Sequence, residues 1–310
     1  MGSEPLDLGV VGVSEGNGHP YSFSAIVNGY DDAAMAAAGW EVIRDYLREA
    51  DPSEFGFEGV SVTHAWTQDP AETETLCRAS KIPTAADSLD AMADVVDAVL
   101  LARDDSETHR DFAAPFLDRG VPTFVDKPLA LDPDDVAWFE PYLRDGLVMS
   151  CSGFRFAREL DGPRAGRAAL GPVRLVDGVV LNDWSKYGVH LLDAVFGVLD
   201  ERPATVTATG ADPTTVTITT TGEPTVQIAA LGDAPITFDL SIYGRDGASR
   251  HQLRDNFRAF RRTLWHFFRM VRSGEPAIAP ESTLDVVRTV IAGQRSLASG
   301  DPVAVDNVEY

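Results

Sequence analysis

The sequence predicts an α/β protein, a doubly wound parallel sheet over residues 1–152 followed by an α+β domain with an open, mainly antiparallel sheet over 153–310. Three observations carry that prediction. The chain has 310 residues, enough for two ordinary cores. Up to about residue 150, short apolar runs alternate with helical patterns, the signature of parallel strands joined by crossover helices. Beyond about residue 173 the pattern changes to short Thr/Val/Ile runs separated by Gly, Asp and Pro, the signature of an antiparallel meander.

In chain order, "DLGVVGV" (7–13) is a continuous apolar strand, and a polar, Gly-rich loop follows it. "SFSAIVNGY" predicts a helix, and "AAMAAAGWEVIRDYLREA" (33–50) a longer one. "GVSVTHAW" (59–66) is the second strand. "PAETETLCRAS" is a helix with acids in its first turn, where the helix dipole favours them. "VVDAVLLA" (95–102) is the third strand, and "ETHRDFAAPFLDRG" is a helix stopped by Gly120. "PTFVDKP" (122–128) is the fourth strand, broken by Pro128. "PDDVAWFEPYLRDG" and "LVMSCSGF" add a helix and a strand. In the second half, "PVRLVDGVV", "ATVTATG", "TTVTITTTG", "TVQIAALG" and "PITFDLSIYG" supply strands, while 256–274 and 281–300 supply two helices.

Composition narrows the function. The formal net charge is −22, and of 26 basic residues only Lys81, Lys127 and Lys186 are lysines. Such a field repels nucleic acid and anionic membrane, so neither is expected as a partner. The Asp-rich, Lys-poor composition fits a salt-rich cytoplasm or a GC-rich genome. Cys77 and Cys151 are isolated, with no metal-ligand or disulfide spacing, so a reducing cytoplasm and no metal are expected. The N-terminus has no basic n-region, so no signal peptide is expected, and no apolar stretch is long enough to span a bilayer.

Ligands of a doubly wound sheet sit at the carboxyl ends of its strands. After the first strand comes "GVSEGNGHPYS" (12–22). Gly12, Gly16 and Gly18 let the backbone approach a phosphate, and the next helix offers its N-terminal amides. Ser14 and Asn17 lie in the same loop, and His19 reaches from it toward the substrate. After the second strand, Trp66 and Thr67 stand where an acid for the ribose is expected; Trp66 is either core or an adenine-side contact. After the third strand come Asp104 and Asp105, the latter read as a helix start. After the fourth comes Asp126-Lys127-Pro128, whose lysine points into the crevice because Pro128 ends the pairing.

The remaining lysine opens "KYGVHLLD". If 185–197 is helical, Lys186, His190 and Asp193 fall on one face at i, i+4 and i+7. That face is either a solvated stripe or a site, and His190 could also be a core histidine satisfied by Asp193. Arg155, Asp183 and Tyr187 are further candidates for substrate hydroxyls.

Together "VDKPLALD", "KYGVHLLD" and "SIYGRDGA", with "GFRFA" and the closing "SGEPAIAPESTLDVVRTVIAGQRS", resemble the Gfo/Idh/MocA family of nicotinamide-dependent sugar and polyol oxidoreductases. The resemblance implies a Rossmann domain that binds NAD or NADP, and a second domain that binds substrate and forms a homodimer or homotetramer. The family's Glu-Lys-Pro matches Asp126-Lys127-Pro128. Its D-x-x-x-H matches Lys186 to His190, with lysine in place of aspartate, and "GVSEGNGH" replaces GxGxxG. The implied catalytic residues are Lys127, His190 and Lys186; the implied cofactor contacts are Gly12, Ser14, Gly16, Asn17, Trp66, Asp104, Asp126, Lys127 and Pro128. Oxidising a secondary alcohol needs a base for its proton and a positive neighbour for the developing alkoxide. A nearby ammonium disfavours imidazolium, so Lys186 would keep His190 neutral and able to accept the proton. The alternatives are redox-neutral lyase, dehydratase or epimerase chemistry in the same fold, and a non-catalytic dinucleotide- or sugar-binding regulator. No G-x-x-x-x-G-K-[ST] is present, which disfavours a kinase.

Overall fold

The computed structural model describes residues 5–308, the side chains of 166–168 aside. The first four residues of the N-terminal segment, read as carrying no secretory signal, lie outside the described residues. The chain forms two units. The first takes the residues up to Ser150 together with Thr263–Ile278, and the second takes Cys151–Arg262 and the residues from Ala279 onward.

The first unit runs β1 (Leu6–Val11), α1 (His19–Asn28), α2 (Asp32–Ala37), α3 (Glu41–Glu49), β2 (Val60–Trp66), α4 (Pro70–Ala79), β3 (Thr84–Ala85), α5 (Leu89–Ala93), β4 (Ala98–Leu101), α6 (His109–Leu117), β5 (Thr123–Val125), α7 (Pro133–Arg144) and β6 (Val148–Met149). Its six strands lie in the order β3-β2-β1-β4-β5-β6, and every pairing is parallel. The order reverses between β1 and β4, and that switch point is where such sheets bind ligands. All four residues of β4 are buried, as expected of a strand covered on both faces. The long helix expected over 33–50 is broken into α2 and α3, because Gly39 takes φ +81° and ends the first of them. Asp69 caps α4, accepting the Ala71 amide at 2.9 Å.

The second unit runs α8 (Asp161–Leu170), β7 (Val173–Val180), α9 (Trp184–Phe196), β8 (Pro203–Thr209), β9 (Thr214–Thr220), β10 (Thr225–Ala230), β11 (Phe238–Gly244) and β12 (Ala248–Gln252); after α10 (Asn256–Ser273) come α11 (Pro280–Ser299) and β13 (Val303–Ala304). Its seven strands lie in the order β12-β11-β7-β10-β9-β8-β13. One neighbouring pair, β7 with β10, is parallel, and α9, β8 and β9 form its crossover. Alternate residues of β10 are buried, so the Thr/Val/Ile alternation presents one face to a core.

Residues Thr263–Ile278 were expected with the second domain, but they group with the first unit. The reason is aromatic: Phe267 meets Phe124 of β5 edge-on at 5.9 Å, and Phe268 meets Phe57 at 5.0 Å.

Trp184 holds α9 in place. It is 2% exposed and donates its indole N–H to the Val290 carbonyl at 3.0 Å. A Cβ at Gly293 would stand 2.3 Å from that nitrogen, and one at Gly188 would stand 2.6 Å from the same ring. Gly293→Ala should therefore cost about 1–3 kcal/mol through overpacking, read as a lower urea midpoint with unchanged far-UV circular dichroism.

Candidate functional site

Two clusters gather the residues singled out in the sequence, one in each unit. In the first unit they lie at the carboxyl ends of β1, β4 and β5. The loop after β1 is fastened residue by residue. The Val13 carbonyl accepts from Arg103 Nη1 at 2.8 Å and from Gln68 Nε2 at 3.1 Å. Ser14 donates its hydroxyl to Asp104 Oδ1 at 2.8 Å and accepts the Asp104 amide at 3.1 Å. Asn17 donates to Asp126 Oδ2 at 3.0 Å, and its own Oδ1 accepts the His19 amide at 2.9 Å. His19 Nδ1 pairs with the same Asp126 oxygen at 2.5 Å, and its ring stacks on Phe23. Gly12 sits where a Cβ would meet Pro20 at 2.5 Å and the Ala102 carbonyl at 3.1 Å, so it permits close passage of the chain. Gly16 takes φ +75° at the exposed tip.

Lys127 follows β5 and is 5% exposed. Its ammonium lies 3.5 Å from Asp104 Oδ2, and its amide donates to Asp126 Oδ1 at 2.9 Å. Burial alone would raise the Asp126 carboxyl, but the charge and hydrogen bond of His19, with Lys127, outweigh it and hold the group well below the ordinary carboxylate range. A lowered folded value means that this stability is present above the unfolded value of about 3.9 and lost as pH falls through the folded one. Asp126→Asn should therefore flatten the acid limb of stability, measured as urea midpoints from neutral pH downward. Pro128 follows Lys127 across a cis peptide. Trp66 ends β2 half-buried, 5.7 Å from the Phe112 ring over which Arg103 lies at 4.5 Å. Asp69, the acid just after β2, is spent as a helix cap.

The electrostatics suit an anion at α1. Asp32, Glu41, Glu72, Asp90, Asp111 and Asp134 place an acid in the first turn of α2, α3, α4, α5, α6 and α7. The first turn of α1 carries none, although the chain has 48 acids. A phosphate group suits such a helix end, although the Asp126 carboxylate already approaches it through Asn17 and His19.

In the second unit, Lys186, Tyr187 and His190 ride on α9, capped by Asp183 accepting the Lys186 amide at 3.0 Å. His190 is half-buried. Its Nδ1 bonds Ser152 Oγ at 2.8 Å, and Phe154, Tyr187 and Phe238 surround its ring at 5.9, 5.4 and 5.4 Å. Asp193 satisfies no histidine: it accepts the Ser152 amide at 2.7 Å and pairs with Arg155 at 2.9 Å. Arg155, expected at substrate hydroxyls, is instead committed to Asp193 and to the Ser282 hydroxyl, because a buried carboxylate needs a partner. Ser152, Phe154, Phe238 and Ser282 were not singled out in the sequence. The placement of Asp193 three residues after His190, on one helix face, was the available hint that a polar network stands behind the imidazole.

Among the described residues, no group of three or more His, Cys, Asp or Glu side chains could hold a metal ion, and no helix is long and apolar enough to cross a membrane.

Residues 35–138 match the profile described as "Oxidoreductase family, NAD-binding Rossmann fold". No curated protein matches the chain by sequence. Solved structures share the fold across the whole chain. Scyllo-inositol dehydrogenase from Lactobacillus casei, with bound NAD(H) and scyllo-inositol, superposes with a TM-score of 0.76 at 14% identity, covering 98% of this chain and 100% of that one. Myo-inositol dehydrogenase from the same organism, in complex with NAD(H) and myo-inositol, gives 0.73 at 16%, covering 97% and 96%. Myo-inositol dehydrogenase from Corynebacterium glutamicum gives 0.73 at 16%, covering 97% and 98%.

Proposed function

We propose, from the match of residues 35–138 to the NAD-binding Rossmann profile of the Gfo/Idh/MocA oxidoreductase family, that the chain is a nicotinamide-dependent dehydrogenase or reductase acting on a sugar, polyol or related hydroxy or keto compound. The observation that carries the reading is that each unit holds one group that the chemistry needs, Lys127 in the first and His190 in the second. One is a buried ammonium at a strand's carboxyl end, and the other an imidazole held from behind by Ser152.

A nicotinamide, when bound, would supply the hydride acceptor or donor. The protein supplies the rest. Ser152 engages His190 Nδ1, which assigns proton exchange with the substrate hydroxyl to Nε2. As the carbinol carbon loses hydride, its hydroxyl proton passes to His190, and Lys127 offers positive charge to the developing alkoxide. Lys186, exposed on α9 one helical turn before His190, supplies a second cationic contact to the substrate or the alkoxide. Phe238, stacked on Tyr187 at 6.1 Å, and Phe154 give the ring apolar walls against which the carbon face of a polyol packs. The resemblance to oligomeric enzymes points to a homo-oligomer built on the open second sheet, working in the cytoplasm.

The test is intact-mass and absorbance analysis of purified protein for nicotinamide, followed by a panel of polyols and aldoses monitored at 340 nm. Reduction of NAD or NADP by a panel member supports the reading. A sugar consumed with no net NADH points to redox-neutral chemistry, and a protein that binds neither dinucleotide overturns it.

A further inference from the structure

The first loop is longer than a tight glycine turn, yet only its tip, Glu15 and Gly16, is exposed. Surface loops ordinarily move. This one is tied to two carboxylates more than eighty residues away in the chain. Asp104 takes Ser14 and pairs with the Lys127 ammonium. Asp126 is 2% exposed and takes Asn17, His19 and the Lys127 amide together. A buried carboxylate is costly unless each of its oxygens is satisfied, and here two of its three partners come from the loop. Asn17 closes the arrangement by accepting the His19 amide, so the loop, the start of α1 and the lysine-bearing end of β5 share one anchor.

We propose that Asp126 is a positioning residue for dinucleotide binding, a latch that holds the first loop through Asn17 and His19 in the shape the pyrophosphate meets. This rests on the dinucleotide reading above. In shorter phosphate loops, glycines alone set the turn. In this chain, side-chain bonds to Asp126 set it, so the ordering cost is met before the ligand arrives. His19 is thereby a member of the latch, with Nδ1 engaged on Asp126, in place of the substrate contact expected from the sequence.

The experiment titrates NADH and adenosine into the 310-residue protein by calorimetry. Wild type is compared with Asp126→Asn and with the double variant Asn17→Ala/His19→Gln. Adenosine carries no phosphate and no nicotinamide, so it reports the nucleoside side alone. The latch predicts that both variants weaken NADH by about tenfold or more while adenosine stays within about twofold. NADH binding within about twofold of wild type in the double variant overturns it, as does an equal loss for adenosine and NADH. If Asp126→Asn does not fold, the double variant decides by the same criteria. Wild-type protein that binds neither NADH nor NADPH overturns the dinucleotide reading and the latch together, whereas unaffected variants of a binding-competent protein overturn the latch alone.

Discussion

His190→Ala is expected to lower turnover by about 10²–10⁴-fold, the range a positioned general acid or base contributes, while NADH affinity stays within about twofold. The expectation follows from how the ring is held. Ser152 fixes Nδ1 at 2.8 Å, and three aromatic rings lie within 6 Å of it, so the imidazole sits in one orientation before substrate arrives. Ser152→Ala should cost less, since it loosens the ring and leaves the base. On the proposed mechanism, in which the buried Lys127 ammonium faces the alkoxide, Lys127→Ala should match the His190 loss. Steady-state rates at 340 nm on the panel substrate, with an NADH titration for each variant, check these expectations. Unchanged turnover removes the residue concerned from the mechanism.

Arg155→Ala should destabilise the protein by about 3–5 kcal/mol, the cost of leaving a buried charge without its partner. Asp193 is 2% exposed, and Arg155 and the Ser152 amide are its partners. Burial pushes the Asp193 carboxyl up, and Arg155 offsets only part of that. A carboxylate raised by folding favours the folded state more as pH falls through its folded value, the reverse of Asp126. The Arg155→Ala deficit should therefore shrink between pH 7 and pH 5, and Arg155→Ala/Asp193→Asn should recover part of it at neutral pH. Urea midpoints at the two pH values decide. A deficit that does not change with pH would mean that lost packing, rather than an orphaned charge, is responsible. Because Ser152 bridges Asp193 to His190, the same variant should also loosen the imidazole.

The sheet of the first unit was legible because its strands are continuous apolar runs such as "AVLL", buried throughout as expected of a strand covered on both faces. Lys127 and His190 stand out in the sequence because a lysine in this chain is rare and a Gly-x-His-x-x-Asp pattern is distinctive. What escaped depends on distance in sequence. Phe238 reaches His190 from β11, and nothing in "PITFDLSIYG" marks that phenylalanine over its neighbours. Arg155 reads as a substrate group until the buried Asp193 is seen to need it. Helical periodicity runs straight through 33–50, and only the backbone at Gly39 shows the break. The parallel β7–β10 pair hides among strands whose composition suits either direction.

Phe267 and Phe268 belong to the core built around Phe124 and Phe57, yet the ribosome makes them long after that core's other members. Roughly 130 residues separate Ser150 from Ile278, which at ~5–20 residues per second is about 6–26 s of translation. For that interval the emerging N-terminal part lacks the two rings that pack on Phe124 and Phe57. A gene fragment stopped at Ser150 should therefore yield an aggregation-prone product.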